Sequence, residues 1–159
     1  RGNFYHHFKS KDEILDAVID LRLANTHKML EQWEAQGESP EERITCFIRI
    51  LFANGAKIKL YGCPVGTLCT ELSKLQHGSR PQANKLFALF RTWLRRHFVL
   101  MGYEKDADAF ALHVLAWSQG VATLFSAFHD QKFVEWEVSR MLDWLESVAR
   151  NGGTRARSR

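Results

Sequence analysis

The chain has 159 residues, of which 45% are hydrophobic and 25% are charged, enough apolar material for one domain with a buried core. This balance excludes extensive disorder, and no apolar run approaches the roughly 20 residues of a membrane span, which argues against membrane contact. The formal net charge of +4 comes largely from Arg155, Arg157 and Arg159 at the C-terminal end, so net charge alone does not predict nucleic-acid binding by the remainder.

The start of the chain and its cysteines indicate the compartment. Arg1 and Gly2 are preceded by no Met and followed by no signal-like segment, which predicts a cytoplasmic protein whose true N-terminus lies upstream. Cys46, Cys63 and Cys69 are odd in number and show no CxxC or paired-histidine spacing. We therefore expect reduced thiols, no metal site and no other cofactor.

The first element in the chain is a short aromatic segment, residues 2–11. Phe4 and Phe8 lie four residues apart, so on a helix they share one face and can anchor it in a small core. Tyr5 lies off that face and can offer its hydroxyl to a phosphate oxygen. Lys11 lies at the start of the following helix, where free amides and the helix dipole already favour an anion, so we expect it to have a phosphate partner.

This segment resembles the end of the helix-turn-helix in TetR-family transcriptional regulators. In that family the recognition helix ends with Gly, an apolar residue, Tyr, any residue, His and Phe, followed by a short turn and Lys. The residues that match are Gly2, Phe4, Tyr5, His7, Phe8 and Lys11. The resemblance implies DNA contacts from Gly2, Asn3, Tyr5, His6, His7 and Lys11. It also implies two further helices upstream of Arg1, and packing of His7 against the next helix is the alternative for that residue.

A long helix is predicted to follow this segment directly. Ser10 and Glu13 form a capping box that starts it, and Gly37 marks its end. A helix of about 24 residues is roughly 36 Å long. A tilt of about 5° would move one end by about 3 Å, enough to change the spacing of two recognition helices on DNA.

The rest of the chain also has helical patterns. Ser39 and Pro40 repeat the start signal, and the helix that they begin weakens around Gly55 or at Lys59. Two glycines around a proline break regular structure over residues 61–66. The helices predicted after this break span about 65–76, 79–102, 106–129 and 132–150.

These patterns predict an all-α fold, because no segment shows the period-two alternation of a half-buried strand. The expected architecture is a remnant of a helix-turn-helix followed by a helical domain for ligand binding and dimerisation. Residues 1–37 would hold the end of the DNA-binding domain and the connecting helix, and residues 38–150 the larger domain. Residues 151–159, which begin Asn-Gly-Gly, are predicted to end the last helix and form a disordered tail.

The two C-terminal helices carry more apolar surface than one core-facing stripe needs, and this pattern predicts a homodimer. Small residues interleaved with large apolar ones over 106–129 allow a second helix to approach closely. Packed against their symmetry mates, the two helices would form a four-helix interface. The expected interface residues are Ala116, Gly120, Val121, Leu124, Phe128, Trp136, Met141 and Trp144. The alternative is that both helices are central to the core of a monomer.

The resemblance further implies a small-molecule cavity in the larger domain. The residues expected around it are Phe47, Leu51, Phe87, Phe90, Trp93, His113 and Trp117. His113 is a polar group inside an apolar run, so it is either a ligand contact or a hydrogen-bonded core histidine. Residues 63–66, Cys-Pro-Val-Gly, with Glu71 and Leu72, are similar to a stretch near the pocket of some family members. Because such sites are mostly apolar, we expect an apolar or aromatic effector.

The function predicted from the sequence is that of a ligand-responsive repressor. It would bind operator DNA as a homodimer and be released by a small-molecule effector, and it would not be an enzyme. One alternative is a thiol-based redox-sensing regulator that uses Cys63 and Cys69. Another is a helical interaction protein without DNA binding.

Overall fold

The computed structural model describes residues 10–157, with side chains described for residues 10–152. All regular structure in that range is α-helical, so the predicted all-α fold is confirmed. The helices are α1 Lys11–Gln36, α2 Pro40–Ile48, α3 Ile50–Ala53, α4 Gly55–Tyr61, α5 Pro64–Lys74, α6 Arg80–Leu100, α7 Ala107–Phe128 and α8 Gln131–Arg157.

The two helix starts predicted from capping residues are confirmed. The Ser10 hydroxyl accepts a hydrogen bond from the Glu13 amide at 3.2 Å, and the Ser39 hydroxyl accepts one from the Glu42 amide at 3.1 Å. Pro40 occupies the first turn of α2, where its missing N–H leaves no hydrogen bond unmade. An N-cap of this kind stabilises a helix by about 1 kcal/mol.

The helix predicted after Ser39 is interrupted earlier than expected. It forms three segments, α2 to α4, which are separated at Arg49 and at Asn54. Asn54 and Gly55 are weak helix formers, which accounts for the second interruption. The resulting turns keep Leu51 and Ile58 buried on opposite sides of the second interruption, so the broken helix follows the surface of the core.

The last helix extends further than the sequence predicted. α8 continues to Arg157, so an end at Asn151 and a disordered tail starting there do not agree with the structure. Gly152 is buried, and a Cβ at this position would overlap the backbone carbonyl of Met101. Beside it, the Tyr103 hydroxyl donates a 2.8 Å hydrogen bond to the Val148 carbonyl. Gly152 therefore serves close packing of α8 rather than helix termination.

Two hydrophobic cores hold these helices together. The main core lies among α1, α2, α6, α7 and α8, with Phe98 and Leu145 among its most buried members. The smaller core joins Ile19 of α1 to Leu72 of α5 and to the start of α6. Phe87 of α6 packs against both cores, as does Val65 of α5. By length and composition α7 would suffice to cross a membrane, a property that core helices of soluble proteins share, and its buried face belongs to the main core.

Candidate ligand cavity and dimerisation face

Helices α1 to α7 border a partly open cavity of about 180 Å³ next to the main core. Its wall takes residues from α1, from the broken helix α2–α4, from the turn that starts α5, and from α6 and α7. The lining residues are Arg22, Thr26, Met29, Phe47, Ile50, Leu51, Asn54, Ile58, Cys63, Pro64, Val65, Phe87, Phe90, Ser118, Gln119 and Ala122. The interruptions of α2–α4 allow residues from all three segments to reach one cavity.

Four of the seven predicted ligand residues border this cavity. They are Phe47, Leu51, Phe87 and Phe90. The rings of Phe47 and Phe90 meet edge to face, with centroids 5.4 Å apart, and both side chains are buried. They form a rigid aromatic wall that suits an apolar ligand.

The other three predicted ligand residues lie elsewhere. Trp93 packs against the ring of Trp33 on α1, with centroids 5.7 Å apart. His113 lies against the ring of Trp144, with centroids 4.9 Å apart. The Trp117 indole N–H donates a 3.0 Å hydrogen bond to the carboxylate of Glu137. None of the three lines the cavity, because each is turned toward a neighbouring helix.

The polar part of the wall was not predicted from the sequence. Arg22 and Thr26 lie one turn apart on α1, and both border the cavity. On α7 the Ser118 hydroxyl donates to the Leu115 carbonyl at 2.8 Å, and Gln119 lies next to it. The sequence does contain a signal for this polar wall, because Arg22, Thr26 and Met29 recur at helical spacing and therefore share one face of α1.

The three thiols have different surroundings. Cys63 lies on the cavity wall at the start of α5, where its sulfur accepts a 3.5 Å hydrogen bond from the Gly66 amide. Burial raises the pKa of the Cys69 thiol and also that of the Cys46 thiol. A raised pKa disfavours the reactive thiolate. This weakens Cys69 as one half of the cysteine pair on which the redox hypothesis depends.

A row of hydrogen bonds, here called the polar ladder, connects the N-terminal half of α1 to the α5–α6 junction. Three aspartates spaced four residues apart on α1 each meet one residue of the junction. The pairs are Asp12 with His77 at 3.3 Å, Asp16 with Ser79 at 2.7 Å, and Asp20 with Gln82 at 3.0 Å. The Ser79 amide donates to Nδ1 of His77, so Nε2 carries the hydrogen that faces Asp12. The ladder thus links the first half of α1 to the α5–α6 junction and the first turn of α6.

An exposed apolar stripe runs along α7, and one large aromatic side chain of α8 is exposed as well. With that side chain included, the members of the stripe are Leu112, Ala116, Gly120, Leu124, Phe128 and Trp136. Phe128 is 71% exposed and Trp136 is 56% exposed, unusual values for such large apolar side chains. Five of the eight predicted interface residues belong to this stripe.

The remaining three predicted interface residues are turned inward. Val121 and Met141 are buried in the main core, so they are not free to contact a second subunit. Trp144 is half-buried against Phe98 and Phe110. The prediction of the interface thus included core residues of the same two helices.

Five of the predicted DNA-binding residues, Gly2, Asn3, Tyr5, His6 and His7, lie outside the described residues. Lys11 is the first residue of α1, and its side chain is exposed. The contact of Lys11 with a phosphate therefore stays a prediction.

Comparison with known proteins identifies the class. No family model matches the chain. An uncharacterized HTH-type transcriptional regulator in the lacX 3' region of Lactococcus lactis subsp. lactis is 30% identical over 152 residues, which cover 93% of this chain and 78% of the relative. The chain therefore belongs to the helix-turn-helix (HTH) transcriptional regulators, a class that acts by binding DNA. This membership also favours the prediction that it is not an enzyme.

Proposed function

We propose that this regulator is a TetR-type repressor that acts in the cytoplasm as a homodimer and leaves its operator when a small apolar molecule fills the cavity. Residues 1–37 would belong to the DNA-binding part and residues 38–150 to the effector-binding part. The observation that carries the proposal is that α1 lines the cavity with Arg22, Thr26 and Met29. The same helix begins at Lys11, where the segment that resembles the end of a recognition helix finishes. A ligand in the cavity would therefore touch the helix that orients the DNA-binding residues.

The packing around the cavity offers a route for this coupling. Phe87 and Val65 border the cavity and also pack against the smaller core, which contains Ile19 of α1. A ligand that displaces either side chain would change how α5 and α6 meet α1 near the polar ladder. Ligand binding shifts the population only if the conformer that binds DNA poorly has the higher affinity for the ligand.

The exposed stripe supports the homodimer. The exposed apolar residues of α7, together with Trp136 of α8, would be covered if the same helices of a second copy packed against them. Ala116 and Gly120 lie in the middle of the stripe, and no described atom lies within 4 Å of the position of a Cβ on Gly120. A twofold dimer would hold two recognition helices about 34–36 Å apart, one turn of B-DNA.

The test is operator binding by the intact regulator. Genomic fragments retained by the protein are sequenced, and the enriched fragment is used in mobility-shift titrations with a panel of apolar small molecules. We expect one half-site pair to be enriched and its affinity to fall when an active compound is present. Enrichment of no fragment, or operator binding that no cavity-binding compound weakens, would contradict the proposal.

A cavity-filling variant separates DNA binding from the response. Ala122 is 1% exposed and borders the cavity, so the ring introduced by Ala122→Phe would enter the void. We expect this variant to bind the operator and to lose the response to the compound. Ala35→Phe, the same change at an exposed position of α1, should keep both properties.

A further inference from the structure

Arg22 is the charged residue among the described residues of the cavity wall, and none of those residues carries a carboxylate. On a helix, the nearest candidates for a partner lie three and four residues away. Here these neighbours are Val18, Ile19, Asn25 and Thr26, none of which is acidic. Arg22 thus borders the cavity without an acidic neighbour on its own helix.

The other described arginines are either paired or exposed. Arg43 is the second half-buried arginine, and it contacts Glu34 at 3.3 Å and the Gly37 carbonyl at 3.0 Å. Arg22 is half-buried as well, but it forms no ion pair within residues 10–152. The segments outside that range, 1–9 and 153–159, contain no Asp or Glu side chain. An arginine that is half-buried beside this cavity, with no ion-pair partner among the described residues, can pair with an anion that enters from solution.

The size of the cavity limits what can complete it. An apolar cavity of about 150 Å³ accommodates benzene. A cavity of about 180 Å³ therefore has room for one aromatic ring or a short alkyl chain with one small polar group. Phe47 and Phe90 supply the aromatic side of the wall, and Thr26 and Asn54 supply neutral hydrogen-bonding groups beside the charge.

We propose that the cavity binds a small organic acid, with its ring or chain against Phe47 and Phe90 and its carboxylate paired with the guanidinium of Arg22. Arginine is suited to this role because its planar fork matches a carboxylate with two parallel hydrogen bonds and stays charged at every physiological pH. This inference rests on the proposed function in taking the cavity as the effector site. It adds the chemical class of the effector and the residue that selects it.

The test compares acids with their uncharged amides by titration calorimetry on the full chain at about pH 7.5, where carboxylic acids are ionised. The pairs are benzoate and benzamide, phenylacetate and phenylacetamide, and hexanoate and hexanamide. Within at least one pair we expect the acid to bind on the order of tenfold more tightly, the usual effect of a charge-assisted hydrogen bond. Arg22→Gln should remove this preference, and Arg22→Lys should keep part of it. Lys28→Gln, which removes an exposed charge from the same helix, should leave it unchanged.

Each other outcome overturns the inference. Equal binding of acid and amide, a preference that survives Arg22→Gln in a variant with the wild-type circular dichroism spectrum, or no binding of any of the six compounds at about 10 mM would do so. If Arg22→Gln does not fold, Arg22→Met, which keeps an unbranched side chain without the charge, takes its place under the same criterion. Calorimetry needs no DNA, so a failure here is separate from a failure of operator binding. If benzamide but not benzoate released the regulator from DNA, the proposed function would stand and the inference of a carboxylate effector would be wrong.

Discussion

At the scale of single residues, the most constrained polar group is His97. Its side chain has no exposed surface, its Nε2 lies 2.8 Å from Glu34, and Arg43 and Arg96 pair with the same carboxylate. Burial lowers the pKa of His97, although the Glu34 carboxylate acts in the opposite direction. The neutral imidazole then donates from Nε2, which leaves Nδ1 as a buried acceptor without a partner among the described residues.

This arrangement predicts that acid destabilises the fold in two steps. Because the pKa of His97 is lowered from 6.5, the unfolded chain binds more protons, and stability falls as the pH drops below about 6.5. Burial raises the pKa of Glu34, but His97, Arg96 and Arg43 outweigh it, so the net pKa is lowered from 4.5. The Glu34 contribution is therefore lost only below about pH 4.5.

Urea midpoints measured between about pH 5 and 8 test the first step. His97→Gln should flatten the pH dependence in this interval, whereas His27→Gln, which changes an exposed histidine of α1, should not. Identical slopes for wild type and His97→Gln would refute the assignment.

A second residue-scale prediction concerns Gly152. A methyl group here would overlap the Met101 carbonyl and approach Cε2 of Tyr103 at 2.9 Å. We expect Gly152→Ala to destabilise the protein by about 1–3 kcal/mol, the usual cost of overpacking. Gly78→Ala is the matched control, since no described atom lies within 4 Å of its Cβ position. Thermal unfolding of both variants gives the comparison, and equal melting temperatures would contradict the prediction.

At the scale of elements, the sequence predicted what depends on local chemistry. The starts of α1 and α2 follow from Ser10 and Ser39, whose partners lie three residues away. The continuation of α8 through Gly152 depends on Met101 and Tyr103, about 50 positions earlier, which no local pattern can reveal.

The candidate site, too, could be predicted from local patterns only in part. Aromatic residues at helical spacing predicted part of the wall, including Phe47 and Phe90. They also suggested Trp93, whose ring faces α1 instead, because rotation of a helix about its axis is set by tertiary packing. The proposed role of Arg22 depends on the lack of a carboxylate among the described residues around the cavity. Those residues come from distant parts of the chain, so no local pattern could predict this role.

The polar ladder gives a prediction at this scale. Replacing both Asp16 and Asp20 by Ala removes two of its three connections. The bonds are exposed, so we expect at most about 1 kcal/mol of lost stability. Amide hydrogen exchange over residues 11–20 should nevertheless become faster, because the end of α1 would separate from the α5–α6 junction. Glu31→Ala, at an exposed position of the same helix, should leave exchange unchanged. Unaltered protection in the double variant would show that the ladder does not hold α1.

At the scale of the whole molecule, the exposed stripe predicts the oligomeric state. Leu124 and Phe128 are 42% and 71% exposed, and both lie on the proposed interface. We expect Leu124→Glu with Phe128→Glu to convert a dimer into a monomer, because four like charges would be buried together in the interface. Leu75→Glu changes an apolar side chain that is 70% exposed at the α5–α6 junction and should not affect assembly. Sedimentation velocity distinguishes the two masses, and a wild-type monomer at micromolar concentration would contradict the prediction.

The position of α1 in both cores also governs how such regulators can exchange parts. Ile19 belongs to the smaller core and Leu30 to the main one, although both lie within residues 1–37. A chimera joined at residue 37 would pack a foreign α1 against α2–α8 and leave mismatched contacts in both cores. A junction just before Ser10 keeps both cores as described and exchanges only the segment proposed to meet DNA. Recombination, in the laboratory or in evolution, should therefore tolerate new operators most readily at that earlier point.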